Sequence, residues 1–140
     1  MRLTMPDAVK RFFAPAPESV PQARDFALRT LAAWDLEGRA HDVRVCVSEL
    51  ATNALTHGTH CGQGFHVTMS AEDGIVRVEV HDASPCRPRL RRPTNDDVSG
   101  RGLRIVAMLC DDWGVEERGV TGKVVWSCFK TSRAAQGALC

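Results

Sequence analysis

The chain has 140 residues, enough for one compact domain with a proper apolar core. Its 18 basic and 17 acidic side chains nearly cancel to +1, which argues against a general nucleic-acid binder, a class that carries a clear basic excess. No apolar run approaches the roughly 20 residues of a bilayer-spanning helix, and the segment from Met1 to Arg11 lacks the apolar core and cleavage site of a secretory signal. A cytoplasmic protein without membrane contact is expected.

Residues 9–14 are apolar and β-capable, and Pro15 and Pro17 end that run. Ser19-x-x-Gln22, with Pro21 in the first turn, marks a helix start. Ala23, Phe26, Ala27, Leu31 and Trp34 carry the helix to about Leu36, and Gly38 is expected to close it. A second helix is predicted over 39–57, stopped by Gly58, with Val43, Cys46, Val47, Leu50 and Ala54 as its apolar stripe. At about 100° per residue, Glu49, Thr52, Asn53 and Thr56 share another face. That face is polar without the Lys, Arg and Glu of an ordinary solvent face, so it is a candidate for binding.

Strands are predicted over 65–71 and 75–82, joined by a turn at Glu72-Asp73-Gly74. The second alternates strictly, with Val76, Val78 and Val80 on one side and Arg77, Glu79 and His81 on the other, the pattern of a half-buried antiparallel strand. A long loop should follow over 85–99, then a short helix over 102–109 and strands over 112–117 and 122–130. Residues 131–140 are a small, polar tail expected to fray. The layout is α+β, a two-layer sandwich of helices on one face of a mostly antiparallel sheet, in a single domain over 1–140 with its core at about 9–130.

Cys46, Cys61, Cys86, Cys110, Cys128 and Cys140 form no CxxC pair and read mostly as small core hydrophobes. His57-x-x-His60-Cys61, with His66 beyond, has metal-ligating side chains, but its spacing matches no standard structural zinc site. Polar residues in a turn after a helix are the preferred reading.

Three segments carry chemistry. The first runs from Glu49 through Asn53 to Gly58 on the second helix, the second is Asp82-Ala83-Ser84-Pro85 at a strand end, and the third is Gly100-Arg101-Gly102-Leu103 opening a helix, followed by Thr121-Gly122-Lys123-Val124-Val125-Trp126. In order and spacing they resemble the ATP-binding fold shared by gyrase, MutL, heat-shock chaperones and histidine kinases (the Bergerat fold). The size is most similar to the branch of anti-sigma-factor serine kinases, and the resemblance covers about residues 9–130.

Asn53 offers a neutral carbonyl oxygen, a ligand Mg²⁺ accepts beside phosphates and water. Glu49 lies one turn earlier, where a carboxylate can orient and deprotonate a nucleophile near the terminal phosphate. The resemblance implies these roles: Glu49 catalytic, Asn53 holding Mg²⁺ with ATP. It also implies that Asp82 reads the adenine amino group, with Thr121 supporting that contact directly or through water. Read without the family, Asp82 and Thr121 suit turns. Gly100 and Gly102 at a helix start would let backbone N–H groups approach phosphate, with Arg101 adding a charge-assisted contact and Leu103 following in the same segment. Ser84 falls among the implied cofactor contacts, where the family pattern Asp-x-Gly-x-Gly has glycine. Pro85 stiffens the turn further, and 85–99 is short for an ATP lid. Arg87, Arg89, Arg91 and Arg92 form one basic patch, expected to meet the nucleotide or a protein partner rather than nucleic acid.

The resemblance implies a serine/threonine protein kinase with ATP and Mg²⁺ as cofactors. It would phosphorylate an anti-anti-sigma antagonist, sequester a sigma factor, and pair as a homodimer. The histidine-kinase branch adds a phosphoacceptor helix pair and the gyrase and MutL types add a transducer domain, for which 140 residues leave no room. The altered glycine box motivates a second reading, an ATP-binding module that controls a partner by occupancy alone. A third is a detached sensor-kinase domain acting on a histidine of another protein.

Overall fold

A computed structural model of the chain describes residues 8–58, 63–82, 97–117 and 122–131. Five strands and three α-helices follow in the order β1 (Val9–Phe13), α1 (Ser19–Trp34), a 3₁₀ turn at Glu37–Arg39, α2 (Ala40–Gly58), β2 (Phe65–Glu72), β3 (Ile75–Asp82), α3 (Asp97–Leu109), β4 (Asp112–Glu117) and β5 (Lys123–Lys130). The strands form one sheet in the order β1-β2-β3-β5-β4, every neighbouring pair antiparallel. The predicted α+β sandwich is the observed fold.

The β2–β3 hairpin turns through Asp73 and Gly74, both with positive φ (55° and 80°), the backbone that matches a two-residue turn to the twist of its strands. The register then fixes the faces. Val76, Val78 and Val80 lie opposite Ala71, Met69 and Val67, and all six are buried beneath the helices. Arg77, Glu79 and His81 point the other way, where the Glu79 carboxylate accepts from Arg77 at 2.7 Å and lies 3.0 Å from His81 Nε2. Burial alone would raise the Glu79 pKa, but those two partners outweigh it and hold it below the usual range.

The helices cover one face. α1 buries Ala23, Ala27 and Leu31 against β1, β2 and α2, while α2 crosses β2, β3 and β5 with Val43, Cys46, Val47 and Leu50 at most 2 % exposed. α3 lies along α2 and meets β4. Cys46 and Cys128 are buried, as expected for small apolar side chains.

The first α-helix starts at Ser19 as expected, where Ser19 Oγ donates to the Ala14 carbonyl at 2.6 Å and is buried, while the turn at Ala16 and Pro17 accepts the first helical N–H groups. Two local expectations are corrected. Gly38 does not close α1. Asp35, which tolerates the left-handed region, takes φ 60°, and Leu36 N–H bonds back to the Leu31 carbonyl at 2.9 Å, leaving Gly38 in the 3₁₀ turn. The third helix begins at Asp97, so Gly100 and Gly102 lie inside it rather than opening it. An aspartate in a first turn complements the helix dipole, which explains the earlier start. The loop expected over 85–99 falls outside the described residues up to 96, as do Ser84, Thr121, His60, Cys61 and the tail 132–140.

Candidate functional site

Two periodicities converge at one end of the sheet. Along β3 every second residue faces α2, so after Val76, Val78 and Val80 the next inward position is Asp82. Antiparallel pairing sets Lys123 directly opposite Asp82, and Val125 opposite Val80. From above, α2 lowers Leu50, Asn53 and Ala54 onto this corner. These seven residues line a shallow, open concavity of about 200 Å³ when the adjoining open solvent is counted. Its lining surface is almost wholly apolar, with Leu50, Ala54, Val80 and Val125 beside three polar residues, Asn53, Asp82 and Lys123. Apolar walls with a few polar residues beside them are the usual composition of a small-ligand site.

The sequence-predicted residues divide accordingly. Asn53 and Asp82 lie more than one element apart in sequence and meet here. Glu49 is half-buried one turn earlier on α2 and does not line the concavity. Thr52 and Thr56 are exposed and donate their hydroxyl protons to the carbonyls of Ser48 (2.7 Å) and Thr52 (3.0 Å), so within the polar stripe Asn53 alone turns to this corner. Such back-bonding occupies a hydroxyl that would otherwise look free in the sequence. Leu103 is partly buried and packs against the core. Gly100 is the fourth residue of α3 and Gly102 the sixth, so the pair lies within the helix rather than before it. The side chain of Arg101, with Ser84 and Thr121, lies outside the described residues.

Lys123 is the residue that motif reading leaves unassigned. Its signal was present: Val125, Ser127 and Phe129 are buried inward positions of β5, so counting back by two places Lys123 on the same face. An inward lysine at the end of an otherwise apolar alternation is unusual enough to mark.

Residues 13–129 match the profile of the histidine kinase-like ATPase domain. The chain belongs to that family. No curated protein matches the chain.

The ATPase domain thus carries the fold shared by gyrase, histidine kinases and MutL, and ATP is the ligand its family match supports. Among the described residues, no helix is long and apolar enough to cross a membrane, and no group of three or more His, Cys, Asp or Glu side chains could hold a metal ion. Electrostatic perturbation at Asp111 belongs to structural contacts. There burial raises the pKa, while the Lys130 backbone N–H and Arg39 lower it by more, and the net shift is downward.

Proposed function

We propose that the ATPase domain is a serine/threonine protein kinase and anti-sigma factor. It would transfer phosphate from ATP to an anti-anti-sigma antagonist and sequester a sigma factor when that antagonist is phosphorylated. The observation that carries the reading is the meeting of Asn53 and Asp82 on one apolar-walled corner, with Glu49 one helical turn away.

The corner suits a purine: Leu50, Ala54, Val80 and Val125 supply apolar surface for the ring faces, and Asp82 supplies an acceptor for an exocyclic amine. Asn53 provides one neutral oxygen, a donor set consistent with Mg²⁺, which keeps most of its ligands as phosphate and water. Bound there, Mg²⁺ would neutralise charge on the phosphates. Asn53 would fix the position of the triphosphate, and the Glu49 carboxylate would accept the proton of the attacking serine hydroxyl. The match to a histidine kinase-like ATPase family supports the nucleotide, and the resemblance of the three motif segments supports the kinase branch.

The deciding experiment follows ³²P from the γ-position of ATP onto the cognate antagonist. Acid-stable label, lost in Glu49→Gln, supports the serine kinase. Acid-labile label would mark phosphohistidine and a detached sensor-kinase domain. Binding of Mg·ATP without any transfer would leave the occupancy module, the reading favoured by Ser84 and Pro85 in the first glycine box.

A further inference from the structure

We propose that Lys123 is a base-reading residue which, together with Asp82, recognises the N1–N6 edge of adenine. The inference rests on the nucleotide reading of the corner and adds a second, independent determinant to it. Lys123 and Asp82 are directly opposed across β5 and β3, and both line the concavity beneath α2. Directly opposed residues on one face of an antiparallel pair have Cβ atoms about 4.5–5.5 Å apart, so their side chains act on neighbouring atoms of a ligand.

The chemistry of the pair is one donor group and one acceptor group. An ammonium offers three donors and no acceptor, and an ionised carboxylate offers acceptors only. Adenine presents the same pair in complement: the exocyclic N6 amine donates and the adjacent ring N1 accepts. Asp82 receives the amine hydrogen while Lys123 donates to N1, and Leu50, Ala54, Val80 and Val125 hold the ring faces. A charged group facing apolar walls loses hydration, and an acceptor on the bound base returns part of it.

The same pair discriminates. In the pose that adenine takes, guanine sets its O6 acceptor against Asp82 and its N1–H against Lys123, so both contacts become like against like. Buried polar groups left facing the wrong partner are what makes rejection steep. Guanine satisfies the pair only in another pose, with N1–H and its N2 amine toward Asp82 and O6 toward Lys123. The ATPase family match favours adenine.

The test measures dissociation constants of the Mg²⁺ complexes of ATP, GTP and 1-deaza-ATP, in which carbon replaces N1, for the wild type and Lys123→Met. The wild type should bind 1-deaza-ATP about tenfold more weakly than ATP, the scale of one hydrogen bond to a charged group. Lys123→Met should lose a similar factor for ATP and no longer distinguish the two. Equal binding of ATP and 1-deaza-ATP by the wild type overturns the proposal, and needs no variant to fold. So does a Lys123→Met protein that still separates them; either result leaves ATP binding intact. Tighter GTP than ATP binding, lost in Lys123→Met, assigns the pair to guanine and overturns the adenine edge. Failure of the wild type to bind any adenine nucleotide removes the nucleotide reading itself.

Discussion

Arg39 donates to Asp111 at 2.7 Å and thereby ties the start of α2 to the turn that follows α3. The same guanidinium reaches Asp42 at 2.9 Å, the Leu109 carbonyl at 2.6 Å and the Lys130 carbonyl at 3.1 Å, and lies over the Phe129 ring. It caps the last carbonyl of α3 while closing the far end of β5, the end opposite Lys123. A planar fork of five donors suits this many acceptors, and a lysine cannot reproduce it.

Arg39→Ala should therefore lower unfolding free energy by about 2–3 kcal/mol, because several acceptors and Asp111 lose a partner together. Arg39→Lys should recover only a minor part. Denaturant unfolding measures both, and nucleotide affinity of the still-folded Arg39→Lys protein should match the wild type, since β5 separates the two ends. A weakened nucleotide affinity at unchanged foldedness would show that the two ends are coupled.

Gly114 sets a second constraint. A Cβ there would stand 2.7 Å from the Trp126 indole Nε1 and 2.8 Å from Cε2. Arg77 lies over the same ring at 4.3 Å from its centroid, so the indole is held between strand β4 and a guanidinium. Gly114→Ala should cost about 1–3 kcal/mol by overpacking. In a Trp126→Leu background the same substitution should cost less, and the double-mutant cycle reads the difference. An equal penalty in both backgrounds would assign the cost to the strand backbone instead.

Much of this was legible beforehand because it rests on period. The alternation of Val76, Val78 and Val80 and the spacing of Val43, Cys46, Val47, Leu50 and Ala54 each identify a buried face, and those faces are buried as expected. Asp82 was legible as a motif, and its inward direction follows from the same count of two. What was not legible depends on neighbours in space. The Asp35 cap looks like any exposed aspartate in the sequence, while Gly38 looks like a terminator; the choice was made by the Leu31–Leu36 backbone bond. The start of α3 was misplaced because glycines were read as its opening, although Asp97 lies a full turn earlier. Lys123 was hidden by its type: pairing with Asp82 gives it meaning, and pairing is a property of the sheet.

Burial pushes the Cys46 thiol up to about 12 from 9.0, with Cys110, Asp42 and Glu49 adding smaller charge effects in the same direction. The folded state thus keeps the thiol protonated where the unfolded chain releases its proton. The stabilising contribution is whole below about pH 9 and falls as pH rises toward 12, by about 1.4 kcal/mol per pH unit while only the unfolded form ionises. The chain has no tyrosine, so one common source of alkaline titration is missing from the measurement. Stability curves of the wild type and Cys46→Ala between roughly pH 8 and pH 11 should diverge in slope, with the variant flatter. Parallel slopes would mean that the thiol is already ionised or rehydrated in the fold.

At the candidate site, three substitutions should separate the three roles proposed for different side chains. Glu49 does not line the concavity, so Glu49→Gln should leave the ATP dissociation constant within about twofold while transfer falls by about 10²–10⁴, the range of a lost general base. Asn53 lines it and offers the one amide oxygen there, so Asn53→Ala should weaken Mg·ATP by about tenfold and weaken ATP without Mg²⁺ much less. Asp82 lines it at the strand end and is the proposed reader of the base edge, so Asp82→Ala should weaken ATP by more than tenfold and erase the preference over GTP, whether or not Mg²⁺ is present. The contrast between the last two is what matters. Loss of Mg²⁺ dependence in Asp82→Ala, with base preference kept, would reverse the assignment of the two ends of the pocket and place the phosphates against β3.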